Sequence, residues 1–288
     1  MTELPLVTVL LPVYNGEEFI LEAARSILDQ DYPNFELLLI NDGSTDQTDS
    51  LIREHLLNDN RVRYHTRLNK GLIETLNEGI FLAQGEYIAR MDADDVSHSN
   101  RLSRQVEFLE KHPEIAVLGT AYNSITENGK LLGVRKPPSR CSIIKAMFLF
   151  GNPFAHPTVM LNKKLIADDL FYDKDFLHAE DYELWLRLSL KFQLSNLTDI
   201  CLDYRVLDQS VSRRNEEQQK DSVVKALLKH SFRLDPSNKL ASHLRVLLGY
   251  DESKPLKKIS SFLYVTKFKK KHFSLTIAFL YLLKRLKK

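Results

Sequence analysis

The sequence is poor in the features that define several protein classes. Its 288 residues include two cysteines, Cys141 and Cys201. That is too few for a disulfide scaffold and fits buried thiols in a reducing compartment. Histidine and cysteine nowhere take the spacing of zinc ligands. No stretch reaches the roughly 18–20 apolar residues needed for a bilayer-spanning helix. The N-terminus, MTELPLVTVLLPVYNG, has no basic leader, and its apolar run is too short and too β-rich for a signal peptide. GxxxxGK[ST] is absent, which excludes a P-loop. The first apolar run is not followed by GxGxxG, which argues against a dinucleotide site. Internal repeats and low-complexity segments are missing too. Acidic residues are missing from the end of the chain. Residues 254–288 hold 11 of the 40 basic residues and none of the 38 acidic ones, which leaves residues 1–253 a formal charge of −9. An acidic body with a basic tail points to an anionic surface as partner.

What is present is ordinary globular material, 43% hydrophobic and 27% charged, enough for one large domain or two small ones. Short apolar runs alternate with helical spacing. Leu6–Leu11, Phe35–Ile40, Arg61–His65, Glu86–Met91 and Ile115–Leu118 read as strands. Glu17–Asp29, Asp49–Leu57, Gly71–Ala83 and Asn100–Lys111 read as helices. This rhythm predicts an α/β fold with a mostly parallel central sheet flanked by helices. Ligands of such sheets bind beyond the carboxyl ends of the strands. The segments there are PVYNG, NDGSTD, TRLNKG and MDADD, all polar or glycine-containing.

MDADD carries the strongest chemical signal. Asp92, Asp94 and Asp95 fall within four residues, and like charges this close need an offset. Carboxylate oxygens suit Mg²⁺ or Mn²⁺. The plain alternative is helix capping, with Asp95 or Ser97 serving the helix at Asn100–Lys111. That explains one carboxylate and leaves two.

With these residues in view, the chain resembles the family 2 glycosyltransferases, whose nucleotide-sugar-binding fold is called GT-A. The resemblance spans residues 5–215. It rests on VTVLLPVYNGEEFI, NDGSTD, NKG, GEYIARMDADD, AHPTVM and AEDYELWLRL in that order. It implies a GT-A domain over 1–215, with 216–288 as a helical, basic extension. It implies that Pro12, Tyr14 and Glu18 lie along the nucleotide. Asp42 would accept an N–H of a uracil-type base, and Lys70 would lie near the base or phosphates. Asp92-Ala93-Asp94 matches the DxD motif. Asp94 would ligate the cation, Asp92 would face the ribose or sugar, and Asp95 is a second-choice ligand. Asp181, with Glu180 as the weaker candidate, would be the catalytic base at the start of a helix over Asp181–Leu190; ordinary first-turn acids are the alternative. His156 would contact donor phosphate or acceptor, or simply fix the turn before Pro157. Arg205 and Ser212 would contact phosphate, or Arg205 would form a salt bridge. Two positions depart from the family pattern: Leu207, where many relatives have histidine, and Asn41, where aspartate is frequent.

The implied reaction is an inverting single displacement. A sugar moves from a nucleotide-diphosphate donor, expected to be UDP-linked, to a glycan or lipid-linked acceptor. The rival reading is a non-catalytic nucleotide-sugar-binding module. A nucleotidyltransferase is disfavoured, because PVYNGEEF lacks that class's glycine- and arginine-rich loop. Residues 216–250 read as helices at Gln219–Phe232 and Lys239–Leu248. Beyond them, the apolar run Phe273–Leu283, flanked by lysines, is too short to span a bilayer but suits its interface. The expectation is therefore a cytoplasmic protein, peripheral at the membrane, with no nucleic-acid partner. Packing of that run on the body, or on a second subunit of a homo-oligomer, is the alternative.

Overall fold

The computed structural model describes residues 4–207 and 215–269, except 234, 238 and 252, together with 278–279 and 282–283. The chain forms two compact units that interleave along the sequence. The first comprises Met1–Pro137, Phe154–Tyr172 and Ser195–Asp208. The second comprises Pro138–Pro153, Asp173–Leu194 and Gln209–Lys288.

The first unit is built on strands β1 (Val7–Val13), β2 (Phe35–Asn41), β3 (Val62–Thr66) and β4 (Tyr87–Arg90). They run parallel in the order β3-β2-β1-β4, with Leu10 opposite both Leu38 and Arg90. Helices α1 (Ile20–Leu28), α2 (Thr48–His55) and α3 (Leu72–Leu82) make the crossovers. Every residue of β1 and β2 is buried, and both strands are apolar apart from Thr8, Glu36 and Asn41, with the Thr8 hydroxyl donating to Glu36. In α1 the buried residues are Ile20, Ala23, Ala24 and Ile27, the one-face spacing of a helix lying on a sheet. Each large aliphatic side chain so buried contributes about 1.5–3 kcal/mol. Gly79 of α3 lies against the Leu10 side chain, where a Cβ would clash; the glycine allows this close helix–strand approach.

An antiparallel part extends the sheet. It comprises β5 (Val96–Ser97), β6 (Ile115–Ile125), β7 (Leu131–Arg135), β8 (Met160–Asn162) and β9 (Gln193–Arg205). β8 pairs with β4 and β6, β7 pairs with β6, and the two-residue β5 pairs with β9. Helices α4 (Arg101–Lys111) and α6 (Lys163–Ile166) complete the unit. Where the parallel part meets the antiparallel part, Arg101 is fully buried. Its Nη2 donates to the Arg90 carbonyl at 2.7 Å, and its Nε donates to Gln105 Oε1 at 3.1 Å. Gln105 in turn donates to the carbonyls of Leu118 and Thr158. Burial pulls the Arg101 guanidinium down to about 10, still protonated at neutral pH. One arginine and one glutamine thus supply hydrogen bonds to backbone carbonyls of β4, β6 and the turn before β8.

The second unit holds α5 (Cys141–Met147), α7 (Glu180–Ser189), α8 (Glu216–Ser231), α9 (Leu240–Leu248) and α10 (Pro255–Thr266). α7 buries Tyr182, Leu184, Trp185, Leu186 and Leu188. The Tyr182 hydroxyl donates to the Phe148 carbonyl at 2.5 Å. Glu183, with no exposed surface, accepts from Arg187 at 2.9 Å and pairs with His230 of α8 at 2.8 Å. Among the described residues, no helix is long and apolar enough to cross a membrane.

The candidate active site

Because β1, β2 and β4 run parallel as neighbours, their carboxyl ends share one edge of the sheet. The first two end loops are stitched together by side chains. Asn15, at φ 51°, accepts from Thr45 N at 2.8 Å, and its own N–H donates to Ser44 Oγ at 2.9 Å. Gly16 N donates to Thr48 Oγ1, Glu17 N to Asp46 Oδ2, and Gln47 N to Glu17 Oε2. Ser44, Thr45 and Asp46 of NDGSTD and the following Thr48 therefore serve the neighbouring loop, and α2 has no side-chain N-cap. Pro12 is buried at the end of β1, while Tyr14 and Glu18 are exposed, Tyr14 by 52%.

Asn41 is buried, with both ends of its amide engaged. Its Oδ1 accepts from Ser44 N, and its Nδ2 donates to the Tyr64 hydroxyl at 2.9 Å. Tyr64 in turn donates to Asp49 Oδ1 at 2.5 Å. An aspartate at 41 would present an acceptor to an oxygen whose proton is already given to Asp49. The departure from the family pattern fits this chain's own network.

Asp42 is 4% exposed and is gripped by the segment after β3. Its Oδ1 accepts from Lys70 N at 2.8 Å and from Arg67 Nη1, and its Oδ2 accepts from Gly71 N at 2.9 Å. Arg67 is steered by Glu78 Oε2 at 2.6 Å and Thr75 Oγ1 at 2.7 Å. Lys70 reaches Asp42 through its backbone, and its side chain is exposed. Gly43, at φ 73°, packs so closely that a Cβ would lie 2.6 Å from Asn69 N. A carboxylate oxygen has two acceptor positions, so Oδ2 keeps one beyond its bond to Gly71.

The DADD loop runs from the end of β4 to the start of β5. The carboxylate oxygens of Asp92, Asp94 and Asp95 lie within 4.8 Å of one another. Hard oxygen donors grouped in this way suit Mg²⁺ or Mn²⁺, which Asp92, Asp94 and Asp95 would hold. Arg90, 3% exposed, forms an ion pair with Asp92. Asp95 is 2% exposed; its Oδ1 accepts from Arg205 N at 2.8 Å, and its Oδ2 is buried without a hydrogen-bond partner among the described residues. Burial, then the charge of Asp92, pushes Asp94 up to about 6. Burial, then Asp92 and Asp94, raises Asp95 well above the usual carboxylate range. An orphaned buried carboxylate oxygen inside a crowd of acids fits a divalent cation, which supplies the missing counter-charge. Helix capping does not account for the cluster, because α4 starts after Asn100 and has no side-chain cap.

Arg205 takes the salt-bridge alternative. Its Nε donates to the Asp94 carbonyl at 2.7 Å, its Nη1 to the Glu127 carbonyl, and its Nη2 to Glu22 Oε2 at 2.7 Å. The guanidinium lies over the Phe19 ring at 4.5 Å. One side chain thus ties the loop to α1 and to the β6–β7 turn. His156 donates to or accepts from the Tyr172 hydroxyl at 2.8 Å, and burial, then Arg90, holds its pKa well below the usual histidine value. Ala93 and Leu207 are half-buried, and Ser212 lies outside the described residues.

In the second unit, Glu180 and Asp181 open α7, and Glu180 is 8% exposed. Asp181 is half-buried; its Oδ2 accepts from Asn152 Nδ2 at 2.8 Å and its Oδ1 from Tyr182 N at 2.6 Å. Arg67, Arg90 and Asn152 are the site residues that sequence reasoning missed. Arg90 left a signal, a basic residue two positions before an acidic cluster. Asn152 left none.

A strand-edge site with a DxD-type carboxylate cluster on a GT-A fold defines a nucleotide-sugar transferase architecture. The sequence profile described as glycosyl transferase family 2 matches residues 8–171, more than half the chain, and the protein belongs to that family. An uncharacterised glycosyltransferase of Haemophilus influenzae is 34% identical over 76% of this chain and 71% of its own. The O-antigen biosynthesis glycosyltransferase WbnJ of Escherichia coli is 32% identical over 73% of this chain and 83% of its own. Two solved structures share the fold. S. aureus TarS 1–349 in complex with UDP-GlcNAc has a TM-score of 0.63 and 20% identity, covering 85% of this chain and 71% of its own. The mannosyltransferase PcManGT of Pyrobaculum calidifontis, in complex with GDP-Man and Mn²⁺, has a TM-score of 0.63 and 18% identity, covering 99% and 80%. The chain is a glycosyltransferase.

Proposed function

We propose that this glycosyltransferase moves a hexose or N-acetylhexosamine, with inversion, from a UDP-sugar to a glycan or lipid-linked saccharide during surface polysaccharide or glycolipid assembly. The observation that carries the donor half is the DADD loop, with three carboxylates converging and one buried oxygen of Asp95 left without a partner among the described residues. Polysaccharide assembly as the setting is supported by the O-antigen relative.

In this reading Asp94, with Asp92 and Asp95, holds Mg²⁺ or Mn²⁺. When bound, the ion offsets charge growing on the leaving diphosphate. Arg90 keeps Asp92 oriented and partly neutralised, and Arg205 fixes the carbonyl of Asp94. Asp42 offers the remaining acceptor position of Oδ2 to the base N–H, and the exposed ring of Tyr14 lies along the nucleotide. Asp181 takes the acceptor's hydroxyl proton. Asn152 holds the Asp181 carboxylate in place, while the N-terminus of α7 favours its charged, proton-accepting form. Inversion needs one such base and no covalent enzyme intermediate. Residues 1–215 carry this machinery and 216–288 form a helical, basic extension. The protein works at the cytoplasmic face of the membrane.

The test is release of nucleoside diphosphate from a panel of donors, with and without Mn²⁺. Asp94→Ala should abolish metal-dependent turnover. Asp181→Asn should keep donor binding and lower the rate by about 10²–10⁴. Metal-dependent UDP binding without turnover on any donor would turn the reading into that of a binding module. Equal affinity for uridine and adenosine donors would remove the role given to Asp42.

A further inference from the structure

We propose that the outer face of α10 is a docking surface for anionic lipid bilayers. The inner face of this helix is fixed on protein. Ser261, Phe262 and Val265 are buried, Ser261 hydrogen-bonds His243 of α9 at 3.0 Å, and Tyr264 stacks on the His243 ring at 4.1 Å. The outer face is different. Leu256 is 80% exposed and Leu263 is 57% exposed. Leu256, Ser260, Leu263 and Lys267 are spaced four, three and four apart, which sets them in one stripe along the helix. Lys254 and Lys257 flank its start and are exposed.

The helix and the chain that follows it carry charge of one sign, and the acid that reaches α10, Asp235, is 7% exposed and held by the Tyr264 hydroxyl at 3.1 Å. No Asp or Glu occurs from residue 254 to the last residue, 288. Among the described ion pairs, none involves Lys254, Lys257, Lys258 or Lys267. Exposed leucines along a helix rimmed by lysines without acidic partners match an in-plane interfacial helix. The lysines answer anionic headgroups, and the leucines enter the acyl boundary. A second copy of the chain fits worse. A two-fold contact through this face would set the same lysines against each other, with no acid on the stripe to separate them.

This relocates the membrane contact expected at Phe273–Leu283. Residues 273–277, 280 and 281 lie outside the described residues. Ala278 and Leu282 are buried, and Phe279 packs on Phe262 at a ring distance of 5.5 Å. The described part of that run therefore supports α10 from behind.

The experiment is flotation of the full-length protein with phosphatidylcholine vesicles, with and without 30% phosphatidylglycerol, at low salt and at 0.5 M NaCl. The protein should float only with anionic vesicles at low salt. Lys254→Gln/Lys257→Gln/Lys267→Gln should weaken partitioning on the order of a hundredfold, from about fivefold per charge. Leu256→Gln/Leu263→Gln should lower it at least tenfold. Phe81→Gln, at a residue 86% exposed elsewhere in the fold, should leave it unchanged. Circular dichroism melts confirm that each variant is folded. Failure of the wild type to float on anionic vesicles, equal flotation on neutral ones, or undiminished flotation of the leucine variant would overturn the proposal. So would a dimer in sedimentation that the leucine variant dissolves. UDP release in vesicle-free buffer reports separately on the donor reading.

Discussion

At the scale of single residues, partners decide what a side chain does. Asn41 differs from the common aspartate by one nitrogen, and that nitrogen donates to Tyr64. Asn41→Asp should cost about 1–3 kcal/mol, because a buried acceptor would then face an oxygen with no proton to give. Urea unfolding measures the loss, and Tyr64→Phe should restore part of it. Arg205 acts through the DADD loop, with three donations and one backbone N–H fixing Asp94, Asp95, Glu22 and the turn at Glu127. Arg205→Lys keeps the charge and loses the fork. It should raise the Mn²⁺ concentration for half-maximal activity by about 10–100-fold, as removal of outer partners of metal ligands does. The rate at saturating Mn²⁺ should change little; a fall in rate alone, with unchanged Mn²⁺ dependence, would deny the positioning role. The acids of the cluster were readable as letters in the sequence. Arg67, Arg90 and Asn152 were not, since their meaning lies in contacts across the fold.

Elements were legible where a periodicity was clean. β1, β2, β4 and α1 to α4 follow buried residues at period one or 3.6, and the observed ends of these elements and of the half-buried β3 fall within a few residues of the expected ones. β7 and β9 carry no such pattern. β7 is exposed over four of its five residues, and β9 mixes buried, half-buried and exposed positions over 13 residues. Pairing defines these strands, and pairing is not written locally. The link between α7 and α8 shows the same limit. Burial works against the charge of Glu183, yet hydrogen bonds from His230 and Arg187 more than offset it and hold its pKa below the usual value. A carboxyl lowered on folding contributes stability above its unfolded pKa of about 4.3 and loses that contribution as pH falls through the folded value. Glu183→Gln should therefore destabilise at pH 7 on the order of 3 kcal/mol. The gap to wild type in urea unfolding should narrow below about pH 4.

For the whole molecule, the resemblance was legible because its motifs sit at strand ends in fixed order. The division into interleaved units was not, since a linear reading sees no spatial return of the chain. A donor that binds only the folded state raises its stability by about 2.7 kcal/mol at a hundredfold excess over Kd. UDP with Mn²⁺ at that excess should raise the melting temperature by roughly 5–10 °C, at about 2–4 °C per kcal/mol. Asp94→Ala should remove the part that depends on Mn²⁺, and calorimetry on both proteins reads the difference. The Arg205 clamp also sets an order of events in the cell. Asp95 and the arginine that grips it are 110 residues apart in the chain. At about 5–20 residues per second, a ribosome delivers Arg205 roughly 6–22 s after the acidic loop has been made. Through that interval the nascent protein carries its three aspartates without the clamp. The carboxylates reach their final arrangement only when translation has passed β9.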